Sequence, residues 1–140
     1  MTPTIEDAII LATQAHAGQV DKAGLPYILH PLRVMLRVES ETEQTVAILH
    51  DVVEDTSITL DDLREDGYSE EILEAVDYLT RRESETYRQF IERVKENELA
   101  RIVKLADLED NMDPSRNPNP TEEISGLRVR YQRAYEVLQS

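Results

Sequence analysis

The segment Val46-Ala47-Ile48-Leu49-His50-Asp51-Val52-Val53-Glu54-Asp55-Thr56 sets four potentially reactive side chains in an apolar run. At about 100° per helical residue, with His50 at zero, Asp51 falls near ~100°, Glu54 near ~40° and Asp55 near ~140°, all in one arc of roughly 140°. Val46, Ile48, Leu49, Val52 and Val53 fill the opposite side, and Ala47 is the one apolar residue inside the polar arc. A helix so apolar elsewhere belongs inside the protein, so its polar stripe is expected to line an internal cavity. Three carboxylates there would repel each other and be pushed toward protonation unless a positive group joined them. An imidazole beside carboxylates suits a divalent transition metal. An amphipathic helix with a solvated polar stripe is the competing reading, and the apolar surround argues against it.

One helix rarely encloses an ion, so further ligands must come from elsewhere. Pro26-Tyr27-Ile28-Leu29-His30-Pro31 places a histidine at a rigid turn. Taken alone, His30 reads as a packed or capping histidine. In Ala100–Asn111, Leu99, Ile102, Val103 and Leu105 form the buried face, with Asp107 on its border and Asn111 one turn on. Taken alone, Asp107 reads as a solvated boundary carboxylate.

The elements that must position these groups are helical, because no stretch alternates with period two for long. Apolar residues at Ile5, Ala8, Ile9, Ala12 and Ala15 mark a first helix, and Gly18 and Gly24 bracket a loop to Pro26. Pro31 fits the first turn of a second helix through about Leu36. Ser40 with Glu43 forms a capping box that opens a helix from about Glu41 to Val53. Thr59 with Asp62 caps a short helix that Gly67 ends, and Ser69 starts another through about Leu79. Further helices are expected over Thr86–Lys95, over Glu98–Asn111 capped by Asn97, and from Thr121 toward Gln139. Asp113–Pro120 holds three prolines in eight residues and must be a loop, read as a connector in preference to a lid. The result is an all-α chain of about seven helices in one compact domain, residues 1–140.

Composition narrows the partners. The chain has 29 acidic against 15 basic side chains and a formal net charge of −14, which disfavours nucleic acid and anionic lipid as bulk partners. With no cysteine, thiol catalysis, zinc fingers and disulfide frameworks are excluded. No signal-like start or membrane-spanning run is present, so a cytoplasmic protein is expected. A phosphate ligand would need local cancellation of this negative field, which a bound cation supplies.

Together, His16-Ala17-Gly18-Gln19, Pro26-Tyr27-Ile28-x-His30-Pro31, Leu49-His50-Asp51-Val52-Val53-Glu54-Asp55-Thr56 and Lys104-Leu105-Ala106-Asp107-x-x-x-Asn111 resemble the HD-domain phosphohydrolases. More closely, the chain is similar to the hydrolase domain of the RelA/SpoT family and its small stand-alone Mesh1-type relatives, from about Ala15 to Met112. The resemblance implies an all-helical HD-domain bundle and one Mn²⁺-like ion held by His30, His50, Asp51 and Asp107. It implies that Glu54 and Asp55 handle the attacking, metal-activated water. The implied reaction is the stringent-response hydrolysis of the 3′-pyrophosphate of guanosine tetra- and pentaphosphate, a small-molecule nucleotide substrate. Asn111 matches a nucleoside-contacting asparagine, and Tyr27 and Lys22 lie in the segment facing the substrate. Lys22, Lys104 and Arg128 are candidate phosphate contacts, although Lys104 by itself reads as solvated, and Arg81-Arg82 as a solvated helix end.

Two departures from the family pattern stand out. Gly18-Gln19-Val20-Asp21-Lys22 puts an acid where the family carries an arginine that packs on the base, and Asp107-Leu108-Glu109-Asp110-Asn111-Met112 replaces Asp-Arg-Leu-His-Asn-Met. Both leave the metal ligands whole and remove positive charge near the nucleotide. They keep two other functions open: a phosphatase or phosphodiesterase for a different nucleotide, and a non-catalytic nucleotide-binding regulatory module. The intact Glu54-Asp55 pair argues against the latter.

Overall fold

A computed structural model describes residues 2–117 and 120–140. Among these the chain forms α1 (Ile5–Ala15), α2 (Leu29–Leu36), α3 (Glu41–Leu49), α4 (Val52–Asp55), α5 (Leu60–Asp66), α6 (Glu70–Tyr78), α7 (Tyr87–Val94), α8 (Glu98–Met112) and α9 (Glu122–Gln139). A 3₁₀ turn, Pro114–Arg116, follows α8. No strand occurs among the described residues, and one isolated bridge pairs Val20 with Pro26.

Local chemistry sets most of the boundaries. Thr4, Ser40, Thr59 and Thr86 each accept the N3 amide while the N3 side chain returns to the cap backbone, a reciprocal capping box at α1, α3, α5 and α7. Ser69, Asn97 and Thr121 cap α6, α8 and α9 through one side-chain oxygen each. Gly67 ends α5 at φ 103°, a left-handed conformation that costs a residue with a Cβ far more than glycine.

The expected single helix over Glu41–Val53 is interrupted at His50-Asp51, and α4 resumes for one turn. His50 Nδ1 donates to the Ala47 carbonyl at 2.5 Å, satisfying an acceptor at the end of α3, and Asp51 sits at φ −103°, ψ −1°. Adjacent side chains on an unbroken helix diverge by about 100°. At this break they converge, with His50 Nε2 and Asp51 Oδ2 3.0 Å apart.

Helix α3 is central, with Thr45 to Leu49 buried, and it packs against α1, α2, α6 and α8. Helix α9 covers α7 and α8. The core runs through Val46, Ile48, Leu49, Val52, Leu63, Leu73, Ile91, Val103, Leu108 and Leu138. This packing places α2, the α3–α4 break and α8 side by side, which decides where the site forms. No described helix is long and apolar enough to cross a membrane.

Candidate metal centre and its pocket

Each of the three neighbouring elements contributes buried polar groups. His30 comes from the first turn of α2, His50 and Asp51 from the break between α3 and α4, and Asp107 from α8. One ligand atom from each of the four lies within 4.8 Å of the others. His30 Nε2 is 2.7 Å and His50 Nε2 3.1 Å from the same oxygen of Asp107. His30, His50 and Asp107 are all buried.

The tautomers follow from the partners. His30 Nδ1 faces Asp110 Oδ2 at 2.6 Å, and His50 Nδ1 faces the Ala47 carbonyl. A carbonyl and an ionised carboxylate only accept, so both Nδ1 atoms carry hydrogen. In the neutral rings both Nε2 lone pairs then point at carboxylate oxygens, an arrangement that needs either added protons or a cation between them. The donor set fits a divalent ion of the N/O-binding kind. Without that ion the same contacts favour the protonated rings. Burial pulls both pKa values down, but hydrogen bonds accepted by Asp107 and Asp110 for His30, and the Asp51 charge with a hydrogen bond accepted by Asp107 for His50, outweigh it and hold both above the ordinary value.

Lys104 is not solvated. Its side chain is 13% exposed, and Nζ donates to Asp107 Oδ2 at 2.8 Å, one helical turn away on α8. Burial opposes its charge, yet the Asp107 carboxylate keeps the ammonium protonated and is itself held well below the usual carboxylate range. The Tyr27 hydroxyl donates a short hydrogen bond to Asp51.

Glu54 and Asp55 stand at the rim, and one carboxylate oxygen from each of Asp51, Glu54 and Asp55 lies within 4.8 Å of the others. Burial, followed by the Asp51 charge, raises both pKa values. Glu54 Oε1 accepts the Arg81 backbone N–H at 3.2 Å, which orients the glutamate, while Arg81 itself is exposed, as expected of a helix end. Asp55 is fixed by its backbone: Gln19 donates to its carbonyl at 3.1 Å and is held by His16 Nδ1 at 2.9 Å.

A cavity of about 480 Å³ opens over the cluster, within the size range of small-ligand sites. It is lined by Lys22, Arg81, Lys104, Arg116 and Arg128 against Asp21, Asp51, Glu54 and Asp107, with Tyr27, Tyr87, Phe90 and Tyr131 as aromatic walls. Five of the chain's 15 basic side chains therefore converge here, on a protein of net charge −14. Against four lining carboxylates they bring the wall near charge balance, which admits an anionic ligand that the chain as a whole would repel. Asn111 also lines the cavity. Lys22 is half-exposed and paired with Glu123 at 3.3 Å, while Arg128 Nη2 donates to the Asn117 carbonyl and leaves a buried Nε without a partner. Asp55 is not among the lining residues.

Asp21 now has a physical explanation. Its Oδ1 accepts the amides of Ala23 and Leu25 and thereby builds the turn that Gly24 completes at φ +81°. Its Oδ2 faces Arg116 Nη2 at 3.4 Å. Arg116 also donates to Asn111 Oδ1 at 3.0 Å and Asp110 Oδ2 at 3.1 Å. The 3₁₀ turn thus sets a guanidinium beside position 21, where it is paired with the Asp21 and Asp110 carboxylates. Arg116 and Asn117 bring part of the Asp113–Pro120 stretch into the pocket wall, while Pro118 and Asn119 lie outside the described residues.

Sequence reasoning missed Arg116 and Asp110. Asp110 is fully buried and accepts from His30, from Arg33 Nε at 2.8 Å and from Arg116. Burial pushes its carboxyl up, but these bonds hold it at about 2. Its spacing of three from Asp107, on the same face of α8, was the available signal.

No family model matches the chain. It is 33% identical, over 89% of its length, to a probable GTP pyrophosphokinase of Mycobacterium leprae. It is 32% identical over 77% of its length to the guanosine-3′,5′-bis(diphosphate) 3′-pyrophosphohydrolase of Aquifex aeolicus. Likewise it is 34% identical over 74% of its length to the protein so named from Haemophilus influenzae. The chain spans 17% of the length of each of these relatives. A solved structure of a metazoan ortholog of SpoT, which hydrolyses ppGpp and plays a role in starvation responses, superposes with a TM-score of 0.81. That match has 23% identity and covers 100% of this chain and 89% of the other, a likeness of fold.

Proposed function

An HD-domain protein resembling the RelA/SpoT hydrolases is what sequence and fold together describe, and from that premise we propose that it is a metal-dependent nucleotide phosphohydrolase, namely a guanosine 3′,5′-bis(diphosphate) 3′-pyrophosphohydrolase. The observation that carries this reading is the donor set at the cavity floor, where two Nε2 atoms and two carboxylates converge while both Nδ1 atoms are committed elsewhere. Residues 1–140 form the phosphohydrolase domain in this reading, and the cytoplasm is its compartment.

His30, His50, Asp51 and Asp107 would hold one divalent ion, Mn²⁺ in this reading, which when bound neutralises phosphate charge and acidifies a water. Glu54 accepts the proton of the attacking water. Its raised pKa makes it a better base than an ordinary carboxylate, and the Arg81 amide fixes its orientation. Asp55 assists from the rim, with its backbone pinned by Gln19. Tyr27 holds Asp51 in place through its hydroxyl. Lys22, Lys104 and Arg128 contact the phosphates, and Asn111 with the aromatic walls receives the nucleoside. The water oxygen ends in pyrophosphate, and the departing ribose 3′ oxygen takes up a proton, leaving GDP or GTP.

A phosphatase or phosphodiesterase for another nucleotide is the second reading. It is favoured by the wall at Asp21, where the cation is Arg116 and is already engaged by two carboxylates. The deciding experiment is Mn²⁺-dependent turnover of ppGpp and a nucleotide panel, run beside Asp51→Ala. Pyrophosphate released from ppGpp by the intact protein alone supports the first reading. Turnover of another nucleotide with ppGpp left intact supports the second. Binding without turnover of any would instead favour a nucleotide-binding regulatory module.

A further inference from the structure

Asp110 lies outside the four-residue donor set and lines no part of the cavity, yet it is fully buried against that set. A carboxylate is costly to bury unless it is well satisfied. Here both oxygens are engaged. Oδ1 accepts from Arg33 Nε, with Arg37 3.8 Å away, and Oδ2 accepts from Arg116 Nη1 and from His30 Nδ1. Two directly bonded guanidiniums more than balance its charge, so Asp110 adds no net negative charge to a cluster that already carries Asp51 and Asp107. The bond to His30, at 2.6 Å, is the shortest of these contacts.

The geometry also separates the two sides of the ring. Asp110 takes Nδ1, and the opposite nitrogen, Nε2, faces Asp107 at 2.7 Å. His50 is arranged in the same way, except that a main-chain carbonyl holds its Nδ1. One histidine is therefore oriented by a local backbone group of its own segment, the other by a charged side chain 80 positions away in sequence. The lever on His30 is a side chain and can be removed by substitution.

We infer that Asp110 is a positioning residue for the metal centre: it fixes His30 as the Nδ1–H tautomer, so that Nε2 is presented as a ligand, while Arg33 and Arg116 keep the carboxylate in place. This rests on the metal reading above. Outer partners of ligating histidines typically change metal affinity by about 10- to 100-fold when removed. Through Arg116, which also meets Asp21 and Asn111, the same carboxylate ties the ligand shell to the far wall of the cavity.

The test compares the unaltered chain with Asp110→Asn and Asp110→Ala, each prepared metal-free. Mn²⁺ affinity is measured by calorimetry, and the Zn²⁺-loaded, ¹⁵N-histidine-labelled proteins are observed by NMR, the His30 signal being assigned from its absence in His30→Gln. The expected result is Mn²⁺ binding weakened about tenfold by Asp110→Asn and up to about 100-fold by Asp110→Ala. In the same samples the His30 Nδ1–H signal moves or disappears while that of His50, held by the Ala47 carbonyl, stays. Affinity within about twofold of the unaltered chain, with the His30 signal unmoved, overturns the inference. Loss of both histidine signals in the nearly isosteric Asp110→Asn protein also overturns it, making Asp110 a structural ion-pair hub. If the unaltered chain bound neither ion, the metal reading itself would fall, an outcome distinct from a variant that binds normally.

Discussion

The replacement Lys104→Met tests whether Lys104 stands in for part of the positive charge that the cluster requires. Its Nζ lies 2.8 Å from Asp107 Oδ2 with only 13% of the side chain exposed. At that separation and an effective dielectric of ~20, the attraction is about 6 kcal/mol. Desolvation offsets roughly half of it, so stripping Asp107 Oδ2 of its partner, with His30 and His50 still on Oδ1, should destabilise the metal-free protein by about 3 kcal/mol. For a chain of this size that corresponds to a melting temperature lower by about 9 °C. A bound divalent cation would supply the missing charge, and it would no longer face a neighbouring ammonium. The Mn²⁺-induced rise in melting temperature should therefore be larger in Lys104→Met than in the unaltered chain, closing most of the gap at saturating metal. Thermal unfolding by circular dichroism, with and without Mn²⁺, reads both quantities. If the metal-free variant melts within a degree or two of the unaltered chain, or if Mn²⁺ raises both proteins equally, the charge-compensation argument is wrong.

Three further outcomes follow from the same geometry. Glu54→Gln should leave Mn²⁺ affinity unchanged while lowering turnover by about 100-fold or more, because the amide keeps the Arg81 contact and cannot take a proton; a matching loss of metal binding would make Glu54 a ligand. His30 and His50 have pKa values above ordinary in the metal-free protein, so their stabilisation is fully present below about pH 6.5 and is lost as pH rises through the folded values. Metal-free melting temperature should accordingly fall from pH 6 to 9 while the Mn²⁺-induced shift grows, since the metal displaces those protons; parallel curves would exclude both imidazoles as ligands. Finally, Glu85 forms a forked pair with Arg93 Nε and Nη2 at 2.8 and 2.9 Å, which holds its carboxyl down to about 2. Glu85→Gln should cost about 1–2 kcal/mol at pH 7, a difference that vanishes as pH drops from 4.5 through about 2, measured by urea unfolding across that range.

Much of this protein is determined within a few residues of chain. The caps at Thr4, Ser40, Thr59, Ser69, Thr86, Asn97 and Thr121 and the stop at Gly67 are local hydrogen-bond and backbone effects, so the sequence placed most helix ends within a residue or two of where they lie. The apolar surround of His50 and Asp51 likewise pointed to an internal polar cluster, whereas Glu54 and Asp55, expected inside with them, are exposed at its rim. Packing decided the rest. Periodicity could not foresee the break at His50-Asp51, where His50 Nδ1 donates to the Ala47 carbonyl while Nε2 faces Asp107 on the packed α8. The fate of Lys104 depended on α7 and α9 closing over α8, which turned an apparently solvated cation into a buried partner of Asp107. Arg116 was illegible for the same reason, and for Asp110 the spacing from Asp107 marked a shared helix face without its partners. A carboxylate three residues from Asp107 and an arginine in a proline-rich loop are ordinary surface residues by type, and only α2 and the 21–25 turn, brought against them from 77 to 95 positions away, give them their partners. Local free energies select helices and their ends. Which polar side chains must satisfy one another is settled by the burial that tertiary packing imposes on them.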